Sequence, residues 1–495
     1  MVSSNVKTGL LMGFGAGFVV VGAIMVVFWP PIFTAQLQKM MILTKDSMSF
    51  GIWRETPIPM HLEFHFFNIT NVDDILARKE GIKLTVKEIG PYVFREVHIK
   101  TNLTWNDNST LTFYNQRWWH FEPDRSVGNL SDMITSINPV IATVAYMMRN
   151  RGIVVNFAVD TFLKIYHSNM FVSANVSSWA FDGIQDRVLD VAANIPYLDV
   201  PIPYDRFGWF YERNGSIEFD GSFTMNTGAS DFSQLGNVEQ WRFSNRTNFR
   251  DECGIVKGST GELWAPEYGQ PEVYVFSSDL CTYLTLSKDR DVNIQGIDGV
   301  QYAANDSTFD NGHHYPHMAC FCDGPVTSSD CLPSGALNVS HCRFGAPAFV
   351  SLPHFLHADP YYPSKIEGLN ATEDMNFRLS LEMYTGMPLG VAAQLQINLL
   401  IRHVRGITIN NMLPDSDTLV PMFWFRQEME TTPEYAAMAR TALRVRYWVP
   451  YALYALTVIG IGLLIGGIVV LVRKLLKSPF TTPILAEESS STDES

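Results

Sequence analysis

A chain of 495 residues is long enough for two or three domains, or for one large barrel or sandwich. Only 17% of it is charged, below the roughly 25% of soluble proteins, as apolar membrane segments would cause. The formal net charge of −14 excludes the basic surface that nucleic-acid binding requires, and names no other partner.

In chain order, residues 1–9 hold a single Lys7 and lead into the uncharged run Leu10–Phe28, which Trp29-Pro30-Pro31 is expected to stop. The run exceeds the about 7–15 apolar residues of a cleaved signal peptide, so residues 10–29 are predicted to be an uncleaved transmembrane helix. A second uncharged run, Val449–Val472, is long enough to span a hydrocarbon core of about 30 Å. Tyr447, Trp448, Tyr451 and Tyr454 crowd its first turns, where aromatic rings favour the membrane–water interface. Gly9, Gly13 and Gly17 recur every four residues, and Gly462 and Gly466 repeat that spacing in the second run. Such Gly-x-x-x-Gly faces let helix backbones approach closely, within one chain or in a homo-oligomer; ordinary glycine enrichment of membrane helices is the competing explanation.

Basic residues do not orient the spans, because Arg440, Arg444 and Arg446 precede the second one and Arg473, Lys474 and Lys477 follow it. Glycosylation acceptors of the form N-x-[ST] do. They fall at Asn68, Asn102, Asn108, Asn129, Asn175, Asn214, Asn245, Asn305, Asn338 and Asn370, all between the spans. Residues 30–448 are therefore expected to be lumenal or extracellular, and both tails, 1–9 and 473–495, cytosolic.

The segment between the spans reads mainly as strand, at Leu62–Ile69, Ile82–Val97, Ser216–Met225, Val273–Phe276, Ala393–Ile401 and Leu419–Phe425. Helical patterns gather at about 130–194, namely Leu130–Arg149, Ile153–Tyr166 and Trp179–Asn194, and Pro433–Trp448 leads into the second span. One large, mainly antiparallel α+β domain between two transmembrane helices is the simplest account. The acidic, Ser-rich tail Ser478–Ser495 is expected to be disordered.

Catalytic, phosphate-binding and dinucleotide-binding motifs are missing, so nothing proposes an enzyme or a cofactor. The six cysteines, Cys253, Cys281, Cys320, Cys322, Cys331 and Cys342, lie within 253–342. With His313, His314 and His317 nearby they could suggest zinc, but an oxidising compartment favours disulfides, and no metal is expected. The helical segment Ile153–Tyr166 is apolar over most of its circumference, so it is either buried or offers an apolar surface. Phe157 and Phe162 belong to it. Lys164 either pairs with Asp160 four residues earlier or meets an anionic head group together with His167.

Seven stretches resemble the class B scavenger receptors: PMHLEFHFFN at Pro59–Asn68, EIGPYVFRE at Glu88–Glu96, FGWFYERNGS at Phe207–Ser216, ELWAP at Glu262–Pro266, ACFCD at Ala319–Asp323, LPHFLHADP at Leu352–Pro360 and VPMFWFRQ at Val420–Gln427. The text is nearest the insect croquemort-like branch. The resemblance implies an antiparallel barrel-like ectodomain with a helical head and an apolar tunnel. It also implies the pairs Cys253–Cys320, Cys281–Cys342 and Cys322–Cys331, with ligands met at the head near Phe157, Phe162, Lys164 and His167. Two features depart from relatives: neither tail has a cysteine for palmitoylation, and Ile484-Leu485 lacks the upstream acid of a lysosomal sorting signal.

The implied function is a plasma-membrane receptor, with endosomal or lysosomal membrane as the alternative. It would bind lipids, lipoprotein particles or anionic phospholipid surfaces and pass hydrophobic cargo to the bilayer. Two rivals are a phagocytic receptor for dying cells or microbes and a two-span channel subunit, although only Thr457 and glycines interrupt the second apolar run. Protein taken from native membranes should lose apparent mass on enzymatic removal of N-glycans and expose no free thiol; unmodified asparagines with reactive thiols would reverse the assigned topology.

Overall fold

Every open sheet leaves two edges with unpaired backbone groups, and this chain removes that liability by bringing its edges together. The computed structural model describes residues 4–166, 168–192, 204–266 and 269–477. Helix α1 (Ser4–Met41) opens the chain, followed by α2 (Met48–Arg54), β1 (Met60–Ile69) and α3 (Val72–Leu76). Two long strands come next, β2 (Leu84–Trp105) and β3 (Thr110–Phe121). A mixed segment holds β4 (Met133–Ile137), α4 (Pro139–Met147), α5 (Ile153–Ile165), β5 (Phe171–Asn175), β6 (Ile184–Gln185), α6 (Arg187–Ala192) and β7 (Arg206–Phe207). The chain returns through β8 (Ser222–Asn226), β9 (Val238–Trp241), β10 (Glu272–Ser277), β11 (Thr282–Ile294) and β12 (Ile297–Ala303). After β13 (Leu337–Asn338), β14 (Ala348–Ser351), β15 (Ile366–Glu367) and β16 (Arg378–Leu381), two long strands finish the sheet, β17 (Pro388–Ile401) and β18 (Thr418–Glu430). Helix α7 (Pro433–Lys477) follows.

The main sheet runs β10-β11-β12-β16-β17-β18-β1-β2-β3-β8-β9. Each neighbouring pair is antiparallel. A short segment around Gly258 and Ser259 joins its edges. Val238 N–H donates to Gly258 O at 2.8 Å on one side; Ser259 N–H donates to Tyr274 O, and Phe276 N–H to Ser259 O, on the other. Gly258 has φ +96°, and a Cβ there would sit 2.6 Å from Tyr274 O, so only glycine fits. The result is a nearly closed barrel with an inner and an outer face. Leu62, Phe64, Phe94 and Phe423 are buried on the inner face, while Arg95 on the same wall points out and is exposed. Two apolar clusters fill the interior, and Ile397 and Phe425 pack against both.

Several expectations need correction. Helix α1 does not stop at Pro30-Pro31 but runs to Met41. Two prolines remove two helix hydrogen bonds, yet their φ is helical and good helix formers (Ala35 to Met40) follow. The helical lead-in Pro433–Trp448, by contrast, continues into the span at 449–472 as expected, and the two form one helix, α7. The expected helix Leu130–Arg149 is a strand followed by a shorter helix. Ile134, Thr135 and Ile137 pair as β4 with β5, and Asn138 caps α4 by accepting from Val140 N–H and Ile141 N–H, with Pro139 in the first turn. The expected helix Trp179–Asn194 breaks at Gly183, whose φ is +78°. It becomes a π-helical turn at Ser178–Asp182, then β6 and α6; residues 193 and 194 lie outside the described residues. The expected strand Ser216–Met225 begins only at Ser222, after turns that end at Gly221.

Contacts divide the chain into two units, Met40–Ala436 and the pair Met1–Lys39 with Ala437–Ser495. In the latter, α1 and α7 each contain a stretch long and apolar enough to cross a membrane. They pack as an antiparallel pair, with Gly15 against Gly460 and Gly22 against Thr457. A Cβ on Gly15 would lie 2.9 Å from Gly460 O, and one on Gly460 would lie 2.8 Å from Gly15 O. Gly9, Gly13, Gly17 and Gly462 have nothing within 4 Å of a built Cβ, so those Gly-x-x-x-Gly positions are not the ones used within the chain. The Thr457 hydroxyl donates to Leu453 O at 2.9 Å, as hydroxyls inside membrane helices do.

Gly258→Ala is expected to destabilise the barrel by on the order of 2 kcal/mol in denaturant unfolding, through strain and contact together. Gly261→Ala, where φ is +104° but the space is open, should lose about 1 kcal/mol, from backbone strain alone. Equal losses would mean that the contact with Tyr274 does not hold the closure.

Candidate functional site

Helix α5 departs most from its sequence pattern. Asn156, Asp160 and Leu163 share one face at helical spacing, and that face is buried. Asn156 Nδ2 donates to Arg405 O at 2.8 Å. Asp160 accepts from Thr408 N–H at 2.8 Å, Ile409 N–H at 3.2 Å and the Thr408 hydroxyl at 2.8 Å. Gly406, with φ +94°, sits where a Cβ would come 2.9 Å from Asn156 Cβ. The loop thus grips the polar face of the helix, and the apolar face turns outward. Val154 is 79% exposed, with Val155, Phe157 and Ile165 also exposed. Of the two outcomes that the apolar pattern leaves open, burial or an offered surface, the helix takes the second, with its polar residues inside.

Of the residues singled out from sequence, Phe157 lies on this exposed surface, with Lys164 one heptad later on the same side. Phe162 is half-buried, its ring 4.7 Å from that of Tyr166, and packs against the core. His167 lies outside the described residues. Lys164 makes the pair with Asp160 that its spacing allowed, at 2.7 Å, and also donates to the Thr408 hydroxyl at 2.6 Å. Arg405 and Arg151 are exposed nearby in sequence to the gripping loop and to α5. Burial alone would raise the Asp160 carboxyl, but hydrogen bonds from Lys164, Thr408 and Ile409 win and hold it below its ordinary 3.8.

The second inversion is on the barrel wall. From Arg95 to Lys100 the strand alternates, and Glu96, His98 and Lys100 are the buried positions. Across the ladder they face Trp119, Arg117 and Asn115 on β3. Lys100 Nζ meets Glu262 Oε1 at 2.7 Å, and His98 Nε2 meets Asn115 Oδ1 at 2.9 Å. Burial, then the Lys100 and Arg117 charges, hold the His98 imidazole well below its usual value, so it is neutral. Farther along, Arg213 bridges Asp220 at 2.9 Å and Asp279 at 3.0 Å, and Arg343 also reaches Asp279 at 3.2 Å. Sequence reasoning missed this seam because alternating polar residues on a strand ordinarily mark its wet face.

The cysteines are joined as Cys253–Cys320, Cys281–Cys342 and Cys322–Cys331. Among the described residues, no group of three or more His, Cys, Asp or Glu could hold a metal. Of the glycosylation acceptors, Asn102, Asn108, Asn129, Asn214, Asn245, Asn305 and Asn370 are exposed, Asn68 and Asn175 half-buried, and Asn338 buried. The Asn338 amide donates to Asp323 Oδ2 at 2.7 Å.

A lowered carboxyl stabilises the fold above its unfolded value and loses that contribution as pH falls through the folded one. The grip of Asp160 on Thr408 should therefore be full at neutral and mildly acidic pH and fail only below the ordinary 3.8. Hydrogen exchange of the Thr408 and Ile409 amides checks this: protection should hold between pH 7 and 5 and be lost across that range in Asp160→Asn.

A sequence profile described as the CD36 family matches residues 13–471. Protein peste of Drosophila melanogaster is 32% identical over 416 residues, covering 83% of this chain and 73% of that protein. Scavenger receptor class B member 1 of Sus scrofa is 32% identical over 445 residues, covering 88% of this chain and 84% of the relative. Lysosome membrane protein 2 of Homo sapiens is 30% identical over 439 residues, covering 85% and 86%. With a profile and relatives that span nearly its whole length, and with the barrel and terminal helices in place, the chain belongs to the CD36 family.

Proposed function

We propose that this chain is a cell-surface scavenger receptor that binds lipids or lipoprotein particles and transfers hydrophobic cargo through the barrel to the membrane. The outward apolar face of α5 carries the reading. A folded protein has no reason to hold Val154, Val155, Phe157 and Ile165 in water unless they meet an apolar partner. Each such side chain buried on a particle contributes about 1.5–3 kcal/mol. Lys164, Arg151 and Arg405 add positive charge suited to anionic phospholipid, with Phe162 behind the surface; His167, outside the described residues, is proposed for the contact only from its place in the sequence. The relatives named scavenger receptors support a receptor, and no bond need be made or broken for apolar cargo to leave water.

Transfer through the interior is supported by the inner wall. Val391, Ala393, Ile397 and Phe425 belong to the face that carries the apolar clusters, yet they are only half-buried. We place the receptor at the plasma membrane with both tails cytosolic; the relative named a lysosome membrane protein supports endosomal or lysosomal membrane as the alternative. Glycans are assigned first to the exposed asparagines. The open glycines Gly9, Gly13 and Gly17 are available for a homo-oligomer contact.

Val154→Asp with Phe157→Asp should weaken binding of lipoprotein particles tenfold or more while the unfolding temperature stays unchanged, since both residues are exposed. Ala393→Trp should leave particle binding intact and abolish uptake of the carried lipid. Unchanged particle binding in the first variant would remove α5 from the contact; unchanged uptake in the second would remove the interior route.

A further inference from the structure

Where β2, β3, β8 and β9 run side by side, the outer side of the barrel dips into an open groove with a volume of about 500 Å³. Phe113 and Phe223 point inward from these strands and are buried, so Thr112 and Thr224, which alternate with them, floor the groove on the outer side. The ladders set Thr104 opposite Thr112, Thr112 opposite Thr224 and Thr224 opposite Gln240. Neighbouring strands lie about 4.8 Å apart, so this uncharged row is about 14 Å long. The Thr112 and Thr224 hydroxyls are 3.0 Å apart, and Asn106 Nδ2 donates to Thr112 Oγ1 at 3.0 Å, which fixes the floor.

The two ends of the row carry the strain. At one end β2 bulges between Thr101 and Thr104, and Asn102, within the bulge, is exposed at φ +50°. At the other, β9 ends in a two-residue turn. Trp241 and Ser244 exchange backbone hydrogen bonds at 2.9 and 3.0 Å, and between them Arg242 and Phe243 lie at φ +51° and +61°. Glycine or asparagine fits such a turn easily, whereas phenylalanine is strained there. Phe243 is nevertheless 68% exposed and lines the groove. A strained backbone that presents an aromatic ring to water points to a ligand.

The lining names the ligand's class. A sugar ring has hydroxyls that both donate and accept, as threonine, asparagine and glutamine side chains do, and apolar C–H faces that stack on an aromatic ring. Anionic head groups call for a cation, and the described lining holds no lysine or arginine. Its one charged residue, Glu239, accepts from Asn226 Nδ2 at 3.1 Å. The source of the sugar is in the groove itself. Asn102 and Thr104 are the first and third residues of an N-x-T acceptor, and both belong to the lining, so a glycan on Asn102 starts inside the groove. We propose that the groove seats the N-acetylglucosamine core of the Asn102 glycan, bonded along the threonine row and stacked on Phe243. Seated there, the glycan ties β2 to β9 and covers this wall of the barrel. This rests on the reading that the exposed asparagines carry glycans, and it adds where one of them lies.

The test follows glycan release by peptide-N-glycosidase F from the folded full chain, made in cultured mammalian cells and held in lipid nanodiscs, with each acceptor read by glycopeptide mass spectrometry. The Asn102 glycan should leave about tenfold more slowly than those on Asn305 and Asn370, which are exposed and outside the groove, because only its unseated fraction is cut. Denaturing the chain should remove the difference. Phe243→Ala and, separately, Gln240→Ala should bring Asn102 to the rate of Asn305. Both lie at the β9 end of the row, away from the bond that is cut, and the exposed Phe243 is dispensable for folding. Equal rates in the folded wild type overturn the seat, and so does protection at Asn108, which also lines the groove, in place of Asn102. Protection that survives both substitutions belongs to the bulged strand and overturns the seat as well. An unmodified Asn102 among glycosylated acceptors removes the seat alone, whereas glycans on no acceptor remove the assigned topology with it.

Discussion

Closure of the sheet is the constraint on which the rest depends. Once Gly258 and Ser259 bridge β9 to β10, one face of every strand on the path is turned away from bulk water. Apolar residues on that face need no further partner. Polar ones do, and the wall shows the consequence: Lys100 is matched by Glu262, and Arg213 by Asp220 and Asp279, in charge-assisted pairs that a wet surface would not require. Such pairing is a condition of a polar seam existing inside a barrel at all.

The two inversions of polarity have a common logic. On α5 the buried side is polar because the loop at 404–411 supplies matching backbone groups, and that frees the apolar side to face outward. On β2 the buried side is polar because β3 and Glu262 supply charge partners. In both cases local pattern and tertiary placement disagree, and the disagreement is stabilised by specific hydrogen bonds. Conflicts of this kind are expected where a chain has been shaped for binding. They leave an apolar face of α5 exposed and set a polar seam within an otherwise apolar interior.

The helix pair makes a related point about glycine. Spacing of four residues drew attention to Gly9, Gly13 and Gly17, yet Gly15 and Gly460 are the residues whose backbones meet. Between two long apolar helices there is little hydrophobic driving force, so the contact goes to whichever small residues come into register when the antiparallel pair forms. Register depends on the partner helix and is not written into either sequence repeat.

Much was legible beforehand because it rests on local free energies. The length of an uncharged run sets whether it can cross a membrane, and β-branched and aromatic alternation sets where strands run; Leu62–Ile69, Ala393–Ile401 and Leu419–Phe425 lie inside the observed strands. The two-span plan and the mainly antiparallel sheet could be read in that way, and the family from the likeness of seven stretches of sequence. What could not be read is which face of an element turns inward, because the partners that decide it are remote. Asp160 is held by Thr408, 248 residues away, and Glu96 by Gln427, 331 residues away. No window along the chain contains both members of either pair. Only folding brings them within 3 Å, and with them the outward apolar helix and the polar seam inside the barrel.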